Sequence, residues 1–386
     1  FHQSGEISVR PVIVPSDRLE ELTSHLMTLP EILKEHGYAT FFAGKWHLGN
    51  EGFWPEDQGF DVNQGGIQRG GPYGGKKYFS PYGNPRLKDG PEGEHLPDRL
   101  ASETVKFIEA NKDGQFFAYL SFYSVHTPLM AREDLKKKYQ ARKKERSLEA
   151  KWGKEHNRKV RLVQEHAVYG GMVEAMDLAV GKVLDGLKRL KLAENTVVFF
   201  MSDNGGLSTS EGHPTSNLPL RGGKGWMYEG GIREPMMVRW PGVTEPGSVS
   251  DAPVISTDFF PTILELAGIK YQPPARIDGV SFTTALRGEP HNRGAIYWHY
   301  PHYGNQGCAP TGAVREGDWK LIEWYEDGKL ELFNLKKDIS EESDLAKKYP
   351  DKVKTLATQL AKWRKDTGAK MPVPKIKFDP KKREGR

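Results

Sequence analysis

The chain has 386 residues, of which 37% are hydrophobic and 28% are charged. This composition excludes an intrinsically disordered chain, a collagen-like repeat and a small disulfide scaffold, and no apolar run is long enough to span a bilayer. The formal net charge is +5, and the only cysteine, Cys308, has no partner for an intrachain disulfide. The length predicts two domains, or one large domain with a smaller companion.

Helical and strand patterns alternate through the first two thirds of the chain. Three segments with helical spacing of apolar residues are each followed by a strand-like run: 29–36 by 38–43, 98–110 by 116–123, and 160–190 by 196–201. Such units predict an α/β fold with a mostly parallel central sheet flanked by helices.

Polar side chains follow each predicted strand directly. Lys45 and His47 come after the first, His126 after the second, and Asp203 with Asn204 after the third. Open α/β sheets bind ligands at the carboxyl ends of their strands, so we expect these groups to meet at one edge.

A glycine-rich segment, 221–233, comes next and ends before a likely strand at 236–240. Its glycines would allow the backbone to approach a ligand closely, and Lys224 would supply a point charge.

From residue 273 the pattern changes to an aromatic segment at 297–303, strands at 319–324 and 329–333, and a terminal helix at 349–367. We therefore predict an α/β domain over 1–272 and a smaller α+β subdomain with a basic tail over 273–386.

Basic residues interspersed with glutamates are concentrated between residues 136 and 161. This pattern is typical of a solvated helical face or a long surface loop. We favour that interpretation over nucleic-acid binding, because no nucleic-acid-binding fold accompanies the charge.

The residue types at the predicted edge limit the chemistry. Asp203 and Asn204 offer hard oxygen ligands suited to Ca²⁺ or Mg²⁺ rather than zinc, although Asp-Asn-Gly-Gly is ideal turn chemistry and its spacing alone favours a turn. Lys45, Lys224 and His126 suit the binding of a tetrahedral oxyanion and the protonation of a leaving oxygen. Taken alone, His126 fits a structural turn as well.

Four segments, GKWHLG at 44–49, SFYSVHTP at 121–128, MSDNGG at 201–206 and RGGKGWMYEGGIREP at 221–235, resemble the successive signature blocks of type I sulfatases. The similarity extends from residue 29 to about residue 345, in the order of the family. It implies an alkaline-phosphatase-like fold and the hydrolysis of a sulfate ester.

The resemblance assigns roles by position. Asp203 and Asn204 match calcium ligands of the family, with Mg²⁺ as the less favoured ion. Lys45 and Lys224 match the lysines that hold the sulfate. His126 matches the histidine that protonates the leaving alcohol, and His47 matches the histidine beside the nucleophile.

Two family elements are missing from the sequence. The family makes a formylglycine nucleophile from Cys/Ser-x-Pro-Ser-Arg, and an aspartate pair near its N-terminus supplies further calcium ligands. Residues 14–18 only echo the motif, and Cys308 lacks the arginine and lies in the wrong region. We therefore expect the nucleophile and the first central strand to lie upstream of Phe1. We also expect an unpaired sheet edge and a chain that is inactive and poorly stable when expressed alone.

A sulfated carbohydrate is the favoured substrate, because the aromatic segment 297–303 suits stacking on a sugar, and an aryl sulfate is a further one. The candidate substrate contacts are His213, Arg221, His299 and His302. Two alternatives stay open: a phosphoester or phosphonate hydrolase of the same superfamily, and a non-catalytic protein that binds sulfated glycans. No nucleic-acid partner is expected. Sulfatases of this type are commonly exported, so we expect a periplasmic, extracellular or lysosome-like location.

Overall fold

The computed structural model describes residues 13–14, 27–272 and 277–374. The helices are α1 Leu29–Glu35, α2 Leu96–Ala110, α3 Glu133–Glu145, α4 Ala167–Arg189, α5 Glu229–Ile232, α6 Phe259–Leu266, α7 Thr283–Leu286 and α8 Pro350–Asp366. The strands are β1 Ile13–Val14, β2 Ala39–Gly44, β3 Val62–Gln64, β4 Phe116–Ser121, β5 Trp152–Glu155, β6 Arg158–Arg161, β7 Val198–Met201, β8 Met236–Arg239, β9 Ile296–Tyr300, β10 Thr311–Glu316, β11 Trp319–Trp324, β12 Leu330–Asn334 and β13 Val373–Pro374. Within these ranges, no helix has the length and apolar character needed to cross a membrane.

A parallel sheet of order β3-β2-β4 forms the centre of the larger region. Strand β2 pairs with β3 on one side and with β4 on the other, both in parallel. Phe41 and Phe42 of β2 are buried, and the Phe41 ring stacks on Phe107 of α2 at 4.7 Å between centroids. The expected α/β fold with a parallel sheet flanked by helices is therefore confirmed.

The helix boundaries follow local signals. Helix α1 begins after Thr28, whose hydroxyl accepts from the Glu31 amide while the Glu31 carboxylate accepts from the Thr28 amide. This reciprocal pair is a capping box, which satisfies two amides that the helix leaves unbonded. Helix α2 buries Leu100, Thr104 and Ile108, the i, i+4, i+8 positions of a helix with one apolar face.

The third predicted strand does not join the parallel sheet. Among the described residues, β7 pairs only with β8, in antiparallel orientation, and β4 pairs only with β2. One edge of β4 and one edge of β7 therefore have no strand partner within these ranges. Tyr119 of β4 is 51% exposed and Met201 of β7 is 42% exposed. The sequence did not indicate that the third strand would pair outside the parallel sheet, because pairing between distant strands is not visible in local periodicity.

The segment 160–190 is not one helix. Strand β6 ends at Arg161, and α4 begins at Ala167 after His166, whose side chain accepts a hydrogen bond from the Tyr169 amide. The basic stretch before it forms α3 and the β5–β6 hairpin rather than a single helical face or loop. The hairpin escaped sequence reasoning because its strands carry little apolar alternation.

The C-terminal region contains an antiparallel sheet of order β12-β11-β10-β9, as expected for an α+β subdomain. One face packs on α8 through Val314, Leu321 and Leu356. The other face packs on Trp226 and Tyr228 of the glycine-rich segment. The boundary predicted at 272/273 stays a prediction and falls beside residues 273–276, which lie outside the described residues, as do the basic tail from residue 375 and residues 15–18.

Candidate active site

The strand ends place Lys45 and His47 at the carboxyl edge of the parallel sheet. The Lys45 amide donates to the Ser121 carbonyl at the end of β4 at 2.8 Å, so the chain leaves β2 beside its neighbour. His47 has a φ of 60°, and its amide donates to Ile67 at 3.1 Å. A Cβ built on Gly70 would lie 2.6 Å from the His47 ring, so only glycine fits against this imidazole.

His126 lies after the end of β4 and is fixed through its backbone. The hydroxyl of buried Tyr78 donates to the carbonyls of Tyr123 and His126, at 2.8 Å each. The His126 Nδ1 lies 2.8 Å from the Thr127 carbonyl oxygen, which only accepts, so Nδ1 carries a proton. The Nε2 atom is therefore the one left to exchange a proton with a substrate.

The glycine-rich segment brings Lys224 against the turn after β7. The Lys224 amide donates to the Gly206 carbonyl at 3.2 Å, and the Gly205 amide donates to Gly231 at 3.2 Å. A Cβ built on Gly205 would lie 1.8 Å from the Gly230 carbonyl oxygen, which no side chain tolerates. Asn217, which sequence reasoning missed, joins the two segments by donating to the carbonyls of Gly206 and Gly222.

Four residues predicted to be catalytic lie close enough for the charge of one to affect the pKa of another. Burial lowers the pKa of His47, and the charges of Lys45, His126 and Lys224 lower it further. Burial likewise lowers the pKa of His126, with Lys224 and Lys45 adding to the effect and the Thr127 carbonyl opposing it. Neighbouring cationic groups repel one another, so each lowers the pKa of the others. An anion bound among them would offset this repulsion.

The predicted cation ligands lie beside this cluster. The Lys45 Nζ is 4.0 Å from the Asp203 Oδ2, and burial lowers the pKa of Lys45 while Asp203 opposes that shift. The Asn204 Oδ1 is buried without a hydrogen-bond partner among the described residues. An orphaned amide oxygen next to an aspartate fits a hard divalent cation.

The turn after β7 contains only some of the ligands that a cation site needs. No group of three or more His, Cys, Asp or Glu side chains suited to a metal occurs within residues 13–14, 27–272 and 277–374. Because Ca²⁺ takes six to eight oxygens, Asp203 and Asn204 would form only part of a coordination sphere for it. Glu234, which the sequence did not single out, lies near Asp203, and burial followed by the Asp203 charge raises its pKa to about 7.

Two predicted substrate contacts have their polar atoms engaged inside the protein. The Arg221 Nε and Nη2 donate to Glu155 at 2.9 and 2.8 Å, and Nη1 donates to the Glu341 carbonyl at 2.9 Å. The His299 ring lies 2.7 Å from the Tyr325 hydroxyl and 2.9 Å from the Lys370 carbonyl oxygen. These contacts favour structural roles, which the identity of the residues alone does not reveal.

The other two candidates lie in different surroundings. The His302 ring packs edge-on against Tyr300 at 5.5 Å. His213 belongs to the same turn as Glu211, whose carboxylate accepts from Thr127 at 3.5 Å and from Gln306 at 2.9 Å. His213 therefore lies two residues from Glu211, which contacts the neighbour of His126. Sequence reasoning missed Glu211.

Cys308 is unsuited to nucleophilic attack. Its side chain is 1% exposed in the core shared by Trp226 and Ala313. Burial raises the pKa of its thiol to about 12, so the reactive thiolate does not form near neutral pH.

The fold matches solved structures over most of the chain. The structure of Ps i-CgsB, solved in complex with k-i-k-neocarrahexaose, has a TM-score of 0.73 and 28% sequence identity and covers 92% of this chain and 77% of its own. The phosphonate monoester hydrolase of Agrobacterium radiobacter has a TM-score of 0.62 and 18% identity over 92% of this chain and 85% of its own, which shows the fold alone. Fold and site together define a protein of the alkaline-phosphatase-like class.

Sequence comparison specifies the family. The family described as Sulfatase matches residues 2–269, and the one described as N-sulphoglucosamine sulphohydrolase, C-terminal, matches residues 223–366. The chain belongs to the sulfatase family.

Curated relatives agree with this assignment. A sulfatase of Formosa agariphila is 37% identical over 69% of this chain and 48% of its own length. The N-acetylgalactosamine-6-sulfatase of Canis lupus familiaris is 31% identical over 72% of this chain and 52% of its own. The chain therefore spans about half the length of these two relatives.

Proposed function

We propose that the protein hydrolyses sulfate esters of a carbohydrate. The observation that carries the proposal is the convergence of Lys45, His47, His126 and Lys224 beside Asp203. A cluster with several positive charges at the carboxyl edge of a parallel sheet is suited to a tetrahedral oxyanion.

The lysines and the histidine of the site have different roles in the proposed reaction. Lys45 and Lys224 bind and orient the sulfuryl oxygens, and their charges offset the negative charge that develops there. A new S–O bond forms to an oxygen that derives from water as the S–O bond to the alcohol breaks, so the sulfuryl group leaves as sulfate. The bound sulfate anion favours the imidazolium form of His126, whose Nε2 delivers a proton to the departing oxygen. Hydrogen bonding of Nδ1 to Thr127 keeps the ring oriented for this transfer.

A divalent cation completes the charge balance. Asp203 and Asn204 would hold it, with Ca²⁺ favoured over Mg²⁺, and when bound it supplies positive charge to the sulfuryl oxygens. The nucleophile is assigned to none of the described residues. The family resemblance implies a formylglycine in that role, next to His47.

The substrate proposal has support outside this chain. The Ps i-CgsB structure holds a carbohydrate, and the relative from Canis lupus familiaris is named for a sulfated amino sugar. We further propose that the protein acts outside the cytoplasm, because a charged polysaccharide does not cross a bilayer unaided.

The test compares 4-nitrophenyl sulfate with 4-nitrophenyl phosphate, using the protein purified from its native source. We expect the sulfate ester to be preferred in kcat/KM, and Lys224→Ala to lower kcat/KM by about a hundredfold or more, the usual effect of losing one group that stabilises developing charge. Preference for the phosphate ester would favour the phosphoester hydrolase. Binding without turnover would favour the non-catalytic glycan-binding protein.

A further inference from the structure

The β5–β6 hairpin presents an unusual set of charges on its exposed face. In the antiparallel register, Lys154 lies opposite Lys159, and Trp152 lies opposite Arg161. Directly opposed residues point to the same face of a hairpin, and alternate residues along each strand share it. The exposed face therefore carries Trp152, Lys154 and Lys159 together, with Arg161 at its buried end.

The two lysines lack charge compensation. Arg161 is paired with Glu165 within the protein. Neither Lys154 nor Lys159 forms an ion pair with any of the described residues. Like charges directly opposite one another destabilise a strand pair, so this arrangement costs stability unless an external anion lies between them. The Lys159 Nζ lies 3.7 Å from the centre of the Trp152 ring, which keeps the ammonium group next to an aromatic surface.

The hairpin is linked to the segment that carries His126. The Trp152 ring packs edge-on against His213 at 5.5 Å, and Arg161 donates to the His213 carbonyl. Two residues before His213 in the chain, Glu211 accepts a hydrogen bond from Thr127, the neighbour of His126. The turn 211–213 therefore connects the hairpin to the segment of the proposed proton donor.

We propose that Trp152, Lys154 and Lys159 form a subsite for a second sulfate group of the substrate. The inference rests on the proposed sulfate ester hydrolysis and deepens it: the substrate is a saccharide with several sulfates rather than one. One sulfate enters the Lys45 and Lys224 cluster. Another, on the part of the sugar chain that lies beyond the leaving oxygen, binds between Lys154 and Lys159, where the Trp152 ring holds the Lys159 ammonium group in place.

Two lysines far from the hairpin provide a matched control for the charge change. Lys188 and Lys191 are exposed lysines at the end of α4, and among the described residues neither forms an ion pair. Helix α4 starts next to Glu165, the partner of Arg161, so the rise of 1.5 Å per residue puts Lys188 about 30 Å further along the helix. Both double variants remove two positive charges, but only one of them changes the hairpin.

The experiment measures binding of low-molecular-weight dextran sulfate by titration calorimetry at several salt concentrations, with neutral dextran as the blank. We expect the Lys154→Ala/Lys159→Ala variant to bind about tenfold more weakly and with a shallower dependence on salt, because fewer counterions are released. The Lys188→Ala/Lys191→Ala variant should bind like the unsubstituted chain. Thermal unfolding tests whether both double variants are folded. Because the repulsion between the two lysines is lost, the hairpin variant should be at least as stable as the unsubstituted chain.

Equal affinity and equal salt dependence of the two double variants would overturn the subsite. Tighter hairpin-dependent binding of a single-stranded oligonucleotide than of dextran sulfate would also overturn it, in favour of a nucleic-acid surface. Turnover of 4-nitrophenyl sulfate is measured separately, on the protein purified from its native source. Its absence there would refute the proposed hydrolysis, whereas the binding data decide the subsite independently.

Discussion

The Nζ of Lys45 and the Oδ2 of Asp203 lie 4.0 Å apart, across the gap between the end of the parallel sheet and the end of β7. The lysine side chain is 20% exposed, whereas the aspartate side chain is 72% exposed. The pair joins the anion-binding side of the site to the cation-binding side, although no strand pairing links the two sheets among the described residues.

Lys45 contributes to the lowered pKa of His126, after burial and the Lys224 charge. Because the Lys45 charge lowers that pKa, Lys45→Ala should raise it. Histidine NMR titration of the 386-residue chain measures the shift, with Lys188→Ala as the control. Added inorganic sulfate should raise the same pKa in the unsubstituted chain, since an anion favours the imidazolium form. A fall in the His126 pKa on either treatment would contradict the site.

Asn204 should be required for stabilisation by calcium. A ligand that binds only the folded state at a hundred times its Kd adds about 2.7 kcal/mol to the free energy of unfolding. Saturating Ca²⁺ should therefore raise the Tm of the chain by several degrees, and Asn204→Ala should remove most of that rise. Asn195 is an exposed residue before β7, and the Asn195→Ala variant should retain the rise in Tm on calcium addition. An unchanged calcium response in Asn204→Ala would exclude this amide as a ligand.

Gly205→Ala tests the close approach of the two segments that place Lys224. The added methyl would lie 1.8 Å from a backbone oxygen, so the segments must separate. We expect a loss of about 2 to 4 kcal/mol in the free energy of unfolding, together with weaker sulfate binding. Gly181→Ala in α4 is the control, because its Cβ would meet nothing within 4 Å. Helix propensity predicts that this change stabilises the chain by up to about 1 kcal/mol.

The strand ends were predictable, and the contacts between segments were not. Lys45, His126 and Asp203 each follow a local strand pattern, so the sequence places each of them after the end of a strand. Tyr78 and Asn217 act through hydrogen bonds to distant backbone groups, and no periodic pattern marks such contacts. The antiparallel pairing of β7 with β8 likewise depends on partners remote in sequence.

A buried ion pair holds the glycine-rich segment on the C-terminal sheet. The Lys320 Nζ is fully buried, 2.9 Å from Glu229 and 2.8 Å from Glu341. Lys320→Met would leave two carboxylates buried without their cation, so we expect a loss of about 3 to 5 kcal/mol. Urea unfolding measures it, and Lys337→Met at an exposed position should change the free energy of unfolding by less than about 0.5 kcal/mol. Near-equal midpoints would show that the pair contributes little.

His95 should make stability depend on pH. Its side chain is 3% exposed, and burial, aided by the Arg132 charge, lowers its pKa to about 4. In the unfolded chain, His95 therefore takes up a proton as the pH falls through about 6.5. In the folded chain, His95 stays neutral until the pH reaches about 4. The free energy of unfolding should fall by about 1.4 kcal/mol per unit as pH drops from 6 towards 4. His95→Gln should make that slope shallower, and an unchanged slope would exclude His95 as its source.

Hydrolysis of a sulfated disaccharide in ¹⁸O-labelled water tests the central claim most directly, with the protein purified from its native source and mass spectrometry of both products. Attack at sulfur with protonation of the leaving oxygen by His126 predicts that the label enters the sulfate and that the alcohol carries none. Label in the alcohol, or no turnover at all, would contradict the account.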